Sequence, residues 1–211
     1  MFSLQKLLGK DDKFFALLEA SADEARRSVE ALNRVLKSPQ TTPSLSEFHQ
    51  SKETDRKITD EINEALVNTF VSQLEKDDIE VLSASLYKIP KTVEKVAERM
   101  IIASPVLKGV DFSRHVVLMD SATQRVLEMV KLLRKLGSVK LEEAKEINGH
   151  LQQIEAEADK LILELLADLY SGKHETTRVL ALKDLYELLE KVIDRCRDAG
   201  NIVTHIVLKN S

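Results

Sequence analysis

Tryptophan is absent from this chain of 211 residues, and the residues that mark turns are scarce. The sequence has only 6 glycines and 4 prolines, and aromatic residues make up 4% of it. Hydrophobic residues still account for 43% and charged residues for 31%, a composition typical of long amphipathic helices joined by few turns. The composition therefore predicts an all-α protein that is long enough to bury a sizeable core.

Other absences exclude several classes of protein. The single cysteine, Cys196, permits neither an internal disulfide nor a zinc site built from several thiolates. The net charge of -4, with no basic block interleaved with aromatics, argues against nucleic-acid binding. No apolar run is long enough for a transmembrane helix, and the first residues lack a secretory signal pattern. We therefore expect a soluble, cytoplasmic protein.

Apolar residues recur at helical spacing in six stretches, which predicts six helices. An irregular arm should precede the first helix because Gly9 breaks the pattern, and Ser44 with Glu47 has the spacing of a capping box for the second. A kink is expected at Pro90 and a helix end at Gly137. The predicted helices span about 11–38, 44–74, 77–104, 111–137, 139–170 and 175–208.

The longest break, PVLKGVD at 105–111, divides the six helices into two sets of three. Short links make consecutive helices antiparallel neighbours. The predicted fold class is therefore all-α, with two tandem antiparallel three-helix bundles at 1–105 and 110–211.

Two predicted helices carry a pair of acids one turn apart beside the apolar stripe. We call these four residues, Glu155, Asp159, Glu190 and Asp194, the acidic quartet. Glu157 lies on another side of its helix and is left out. Two interpretations are open: a solvated face balanced by nearby bases such as Arg195 and Arg197, or a site where the carboxylates converge on a hard cation.

The two halves of the sequence also resemble each other. Ser51-x-Glu53-x-Asp55 corresponds to the acidic turn that starts at Glu155, at a separation close to half the chain length. The equivalent alignment of the third and sixth helices puts Tyr87 opposite Glu190 and Lys91 opposite Asp194. In this degenerate site, Asp55, Tyr87 and Lys91, we predict an ion pair between Asp55 and Lys91, with the Tyr87 hydroxyl donating to the same acid.

With these motifs in place, the chain resembles the PhoU-like family, and specifically the PhoU-related regulators associated with Pit-type phosphate transporters. The resemblance covers nearly the whole chain. Its segments are an opening of the type SLQKLLGKDDKFFALL, KETDRKITDEI (52–62), IEAEADKL (154–161) and LYELLEKVIDRCRDAGNIV (185–203).

The resemblance implies the PhoU-like six-helix architecture and metal, commonly iron, bound by acidic turns on the bundle surface. It also implies a non-enzymatic regulator of phosphate uptake whose partner is a Pit-type permease or another phosphate-regulation protein. Membrane association would then be peripheral, through that partner only. The acidic quartet fits the family's motif, whereas in the first half only Asp55 does.

Two other functions are open. A carboxylate-bridged metalloenzyme would use Glu-x-x-His turns, and none of the five histidines, which we interpret as helix-surface or helix-end residues, has that motif. The other possibility is a structural helical interaction module whose acids bind no metal. The sequence leaves open the identity of the metal, since Mg, Mn and Ca also suit carboxylates, and whether the chain forms homo-oligomers.

Overall fold

The computed structural model describes residues 4–37, 44–69, 72–136 and 141–211, with the side chains described from residue 12 onward. These residues form six α-helices and no strand, as the sequence predicts. The helices are α1 (Leu4–Leu36), α2 (Leu45–Val67), α3 (Lys76–Ala103), α4 (Ser113–Leu132), α5 (Leu141–Leu169) and α6 (Thr176–Lys209). Short 3₁₀ turns at Ser104–Val106 and Leu133–Lys135 follow α3 and α4.

The predicted start of the first helix is wrong, whereas the second helix does begin after Ser44 but without its predicted capping box. A third predicted end lies outside the described residues. From residue 4 onward the predicted irregular arm is helical, because α1 begins at Leu4 and runs through Gly9. Ser44 precedes α2 without making a side-chain cap, since its hydroxyl lies 2.7 Å from that of Ser46, while Glu47 pairs with Arg34. The end predicted at Gly137 falls at an undescribed residue. The capping residues at Ser44 therefore mark where α2 begins, although the hydrogen bonds of a capping box do not form.

The six helices pack as two three-helix bundles, α1–α3 and α4–α6, and within each bundle every helix contacts the other two. The bundles meet through α3 against α6 and α1 against α4. Ion pairing of Lys209, at the end of α6, with Asp78, at the start of α3, shows that this pair of helices is antiparallel. One apolar core runs through both bundles. The predicted domain limits, 1–105 and 110–211, stay a prediction.

The apolar stripes predicted from the sequence explain how α5 and α6 are held. The apolar stripe of α6 is buried along its length, and it consists of Leu185, Leu189, Val192, Ile193, Cys196 and Ala199. In α5, Leu151, Ala158 and Leu161 are buried, whereas Ile154, Ile162 and Leu165 are half-buried. Full burial of such side chains contributes about 1.5–3 kcal/mol each. The stripes fix the facing sides of the two helices and leave the acids at their edge.

Pro90 is buried inside α3, and the helix continues past it to Ala103. Among the described residues, no helix has both the length and the apolar character needed to cross a membrane.

Candidate functional site

The acidic quartet lies along the contact between α5 and α6. The side chains of Glu155 and Asp194 are about one-fifth exposed, at 20% and 23%, whereas Asp159 is exposed. Burial, together with the negative charges of Asp194, Asp159 and Glu155, raises the pKa of Glu190 to about 7. The structure therefore brings the four residues close enough to repel one another.

Arg197 supplies positive charge to this cluster. It follows Asp194 by one turn of α6, and its guanidinium donates a hydrogen bond to Glu155 across the helix contact. It also pairs with Asp194 and Asp198, at N···O distances of 3.0 Å each. Burial works to lower the pKa of Arg197, but the hydrogen bond to Asp198 and the neighbouring negative charges raise it overall. The arginine therefore cross-links α5 and α6.

Arg195, the other base that the sequence suggested as a counter-charge, points elsewhere. Its guanidinium donates to Asp198 at 3.2 Å. Only Arg197, of the two arginines, makes an ion pair with the acidic quartet.

Hard cations are held by several oxygen ligands that converge on one point. In the part of the chain that the structure describes, no group of three or more acidic, histidine or cysteine side chains is placed to hold a metal ion. Arg197 instead binds one acid from each helix of the quartet. In this arrangement the quartet does not fit a metal ion, and metal binding stays a prediction.

The ion pair predicted in the N-terminal half, between Asp55 and Lys91, is wrong. Asp55 is completely buried, and neither of its carboxylate oxygens has a hydrogen-bond partner. Lys91 is exposed, and its ammonium lies 5.8 Å from the centre of the Tyr87 ring, within the range of a cation–π contact. Tyr87 therefore contacts the lysine that was expected to bind Asp55.

A different ion pair joins α2 to α3. Lys52 of α2 pairs with Glu94 of α3 at 2.7 Å, and the His49 ring lies 3.2 Å from the same carboxylate. The repeat alignment that matches Lys91 with Asp194 also matches Glu94 with Arg197, so both halves have a cross-helix ion pair there with the signs reversed. The opposite charges of Glu94 and Arg197 at matching positions are visible in the sequence, but the ion pair that they indicate was not predicted.

One histidine lies at a helix end, as predicted, but is buried. His115 sits in the first turn of α4 but is buried, and its ring stacks on Tyr186, with the ring centres 5.5 Å apart and the planes within 10°. Burial, together with the positive charge of Arg114, lowers the pKa of His115 to about 4. The ring is therefore neutral near pH 7 and packs in the core as an aromatic side chain.

With the geometry established, the chain can be compared with known proteins. No family model matches it. It is 24% identical to "UPF0111 protein YkaA" of Bacillus subtilis (strain 168), over 96% of this chain and 98% of that one. It is 25% identical to "Putative pit accessory protein" of Rhizobium meliloti (strain 1021), over 98% of this chain and 97% of that protein.

Two solved structures from Shewanella oneidensis MR-1 have a similar fold. One is described as a putative PhoU-like phosphate regulatory protein and the other as a PhoU-like protein. Each superposes with a TM-score of 0.77 at 14% identity, over 93% of this chain and 99% of the other. The resemblance predicted from the sequence is therefore confirmed, and the chain has the fold of a PhoU-like protein.

Proposed function

We propose that this chain is a non-enzymatic, cytoplasmic accessory protein that regulates phosphate transport by binding a Pit-type phosphate permease. The observation that carries this proposal is the full-length similarity to the Rhizobium protein, whose name is that of a pit accessory protein. The description of one structural neighbour as a phosphate regulatory protein supports the same role. The two similarities are independent in kind, one of sequence and one of fold.

The surface between α5 and α6 is where we place the partner contact. Glu190 is half-buried and repelled by three neighbouring acids, and Arg197 pairs with only two members of the quartet. Cytoplasmic loops of membrane proteins carry an excess of lysine and arginine. A basic loop of a permease would complement the remaining negative charge and relieve the repulsion.

Co-purification and transport together test this proposal. An affinity-tagged chain should recover a phosphate permease from detergent-solubilised cells, and cells that lack the chain should show altered uptake of labelled phosphate. A variant with Asp159→Asn, Glu190→Gln and Asp194→Asn should lose both the recovery of the permease and the effect of the chain on phosphate uptake. The matched control changes three exposed acids of α5, Glu142, Glu143 and Glu146, to glutamine and should keep both.

Recovery of an unrelated partner, with phosphate uptake unchanged in cells lacking the chain, would contradict the transport role. Equal loss in the control variant would contradict the placement of the contact at the acidic quartet, because general loss of negative charge would then be the cause.

Cation uptake by the acidic quartet is a further proposal, made from the sequence, with iron as the metal implied by the family and Mg, Mn and Ca as alternatives. It requires Arg197 to leave its partners, so Arg197→Gln should raise the metal bound per chain, and Asp159→Asn with Asp194→Asn should abolish it. Elemental analysis after incubation with each metal measures this. Absence of metal from both the wild type and Arg197→Gln would favour the metal-free helical module.

A further inference from the structure

The fully buried side chains in the middle of α2 are polar. The buried residues of α2 are Phe48, Ser51, Asp55, Ile62 and Leu66. Between Phe48 and Ile62, which span more than three turns, the only buried side chains are a serine and a carboxylic acid. Full apolar burial therefore anchors the two ends of α2, while its centre places the half-buried Ile58 against the core and otherwise depends on the state of polar groups.

Asp55 has an unusual environment for an acid. Its exposure is 0%, and neither carboxylate oxygen has a hydrogen-bond partner. The Ser21 hydroxyl of α1, also fully buried, lies beside it and favours the ionised form, without the geometry of a complete hydrogen bond. The neighbouring Ser51 donates to Glu24 of α1 at 2.5 Å. The α1–α2 contact therefore contains two incompletely bonded groups facing each other.

Among the side chains that the structure describes, no cation balances Asp55. From α1, the titratable neighbour is Glu24, whose negative charge opposes ionisation of Asp55. On the α2-facing side of α3, Glu94 is bound by Lys52, and Lys91 lies over the Tyr87 ring. Burial raises the pKa of Asp55 to about 7, with Glu24 adding to the shift. An ionised carboxylate at this position would be both dehydrated and unpaired.

We propose that Asp55 is a proton-operated latch: its neutral carboxyl seats the middle of α2 on α1, and its ionisation releases α2. A neutral carboxyl has an O–H that can donate to the Ser21 hydroxyl, whereas a carboxylate has no proton to donate and must be reached by water. α2 can move without breaking the contact between the bundles, because that contact is made by α1, α3, α4 and α6. The latch does not depend on the proposed role in phosphate transport.

The direction of the pH effect follows from linkage. Asp55 binds its proton more tightly in the folded protein than in the unfolded chain, whose pKa is near 3.8. The folded state therefore loses stability as the pH rises from about 4 to about 7, and stays at the lower level above that range. For a shift of this size, the equilibrium constant for opening changes by the order of a hundredfold to a thousandfold.

Hydrogen exchange of the full chain tests the latch. Exchange is followed by mass spectrometry at about pH 5.5 and about pH 8.5 and corrected for the intrinsic pH dependence of the amides. Peptides from 45–67 should lose protection in the wild type at the higher pH, whereas peptides from α3 should lose much less. Asp55→Asn, which cannot ionise, should keep 45–67 protected at both values.

Two control variants isolate the effect. Asp60→Asn removes the same charge from an exposed position of α2 and should behave as the wild type. Glu190→Gln removes the other acid whose pKa is raised to about 7 and should leave exchange in 45–67 unchanged, because it lies in the other bundle.

Glu24→Gln gives a second route to the same conclusion that retains Asp55. Removing the repelling charge should lower the pKa of Asp55 in the closed state and leave that of the opened state unchanged, so the loss of protection in 45–67 should be smaller and should be complete at a lower pH. Protection in 45–67 that is independent of pH in the wild type, or equal pH dependence in Asp55→Asn, would overturn the latch.

Discussion

At the scale of single residues, Gly200 of α6 lies in close contact with α5. A Cβ atom there would lie 2.5 Å from Leu151 Cδ1 and 2.8 Å from Asn148 Oδ1, both of α5. Gly200→Ala should therefore lower the free energy of unfolding by about 1–3 kcal/mol, the usual cost of overpacking, as measured by urea denaturation.

Gly149 of α5 provides the matched control for that substitution. Nothing lies within 4 Å of a Cβ atom built on it. Gly149→Ala should instead raise the free energy of unfolding by about 0.5–1 kcal/mol, because alanine is the better helix former. Equal effects at the two glycines would mean that α5 and α6 are not in close contact at Gly200.

His115 predicts a loss of stability in acid. Its pKa is lowered to about 4 in the folded protein by burial, so the unfolded chain takes up a proton first as the pH falls. The stability contributed by the neutral ring is complete above about pH 6.5 and is lost as the pH falls toward 4. At about pH 5, His115→Phe should be more stable than the wild type by about 2 kcal/mol, relative to their difference at pH 7.5.

The control for this prediction is the exposed His150 of α5. His150→Phe should show no such change between the two pH values in the same denaturation experiment. If His115→Phe lost stability in acid as the wild type does, groups other than His115 would be responsible for the loss.

The residues that lie together in the candidate site could be predicted from the sequence more reliably than the partners of their side chains. The acidic quartet does lie together, because its members sit beside two apolar stripes that must face each other. The partner of Asp55 was predicted wrongly, because the repeat alignment fixes the turn of α3 but not the rotamer of a long lysine. Lys91 reaches the Tyr87 ring, and the cross-helix ion pair forms one turn later, between Lys52 and Glu94.

At the scale of helices, the six-helix order follows directly from the spacing of apolar residues, whereas the ends do not. Gly9 lies within α1 because one glycine costs a long helix only about 1 kcal/mol. α2 ends at Val67, before the predicted Leu74. Leu74 is nevertheless buried, so an apolar residue in the link to α3 was mistaken for a continuation of the helix.

Helices that bury different numbers of residues should open at different rates. α2 has 5 buried residues among 23, whereas α3, at the contact with the other bundle, has 15 among 28. Amides of α2 should therefore exchange with solvent much faster than those of α3 near neutral pH, because opening α2 exposes little apolar surface. Equal protection of the two helices in native-state exchange would contradict this order.

At the scale of the whole molecule, the sequence predicts two bundles but not the helices by which they meet. An apolar stripe shows that a helix has a buried face, but it does not identify the helix that packs against that face. The structure shows α1 joined to α4 by Asn33, whose amide donates to Asp120 at 2.6 Å, and α3 joined to α6 by Lys209. Both contacts connect residues far apart in the sequence, where local pattern gives no information.

The continuous core makes a prediction about unfolding. Leu86 of α3 and Leu189 of α6 belong to different bundles, and both have 0% exposure within one apolar cluster. Leu86→Ala and Leu189→Ala should each lower the free energy of unfolding by about 2–5 kcal/mol. Because α3 and α6 share an interface, each should shift one common transition rather than split it.

Urea unfolding followed by circular dichroism, with hydrogen exchange reporting on each bundle separately, measures this. If Leu86→Ala destabilised only residues 1–105 and left exchange in α6 unchanged, the two bundles would be independent folding units despite their shared core.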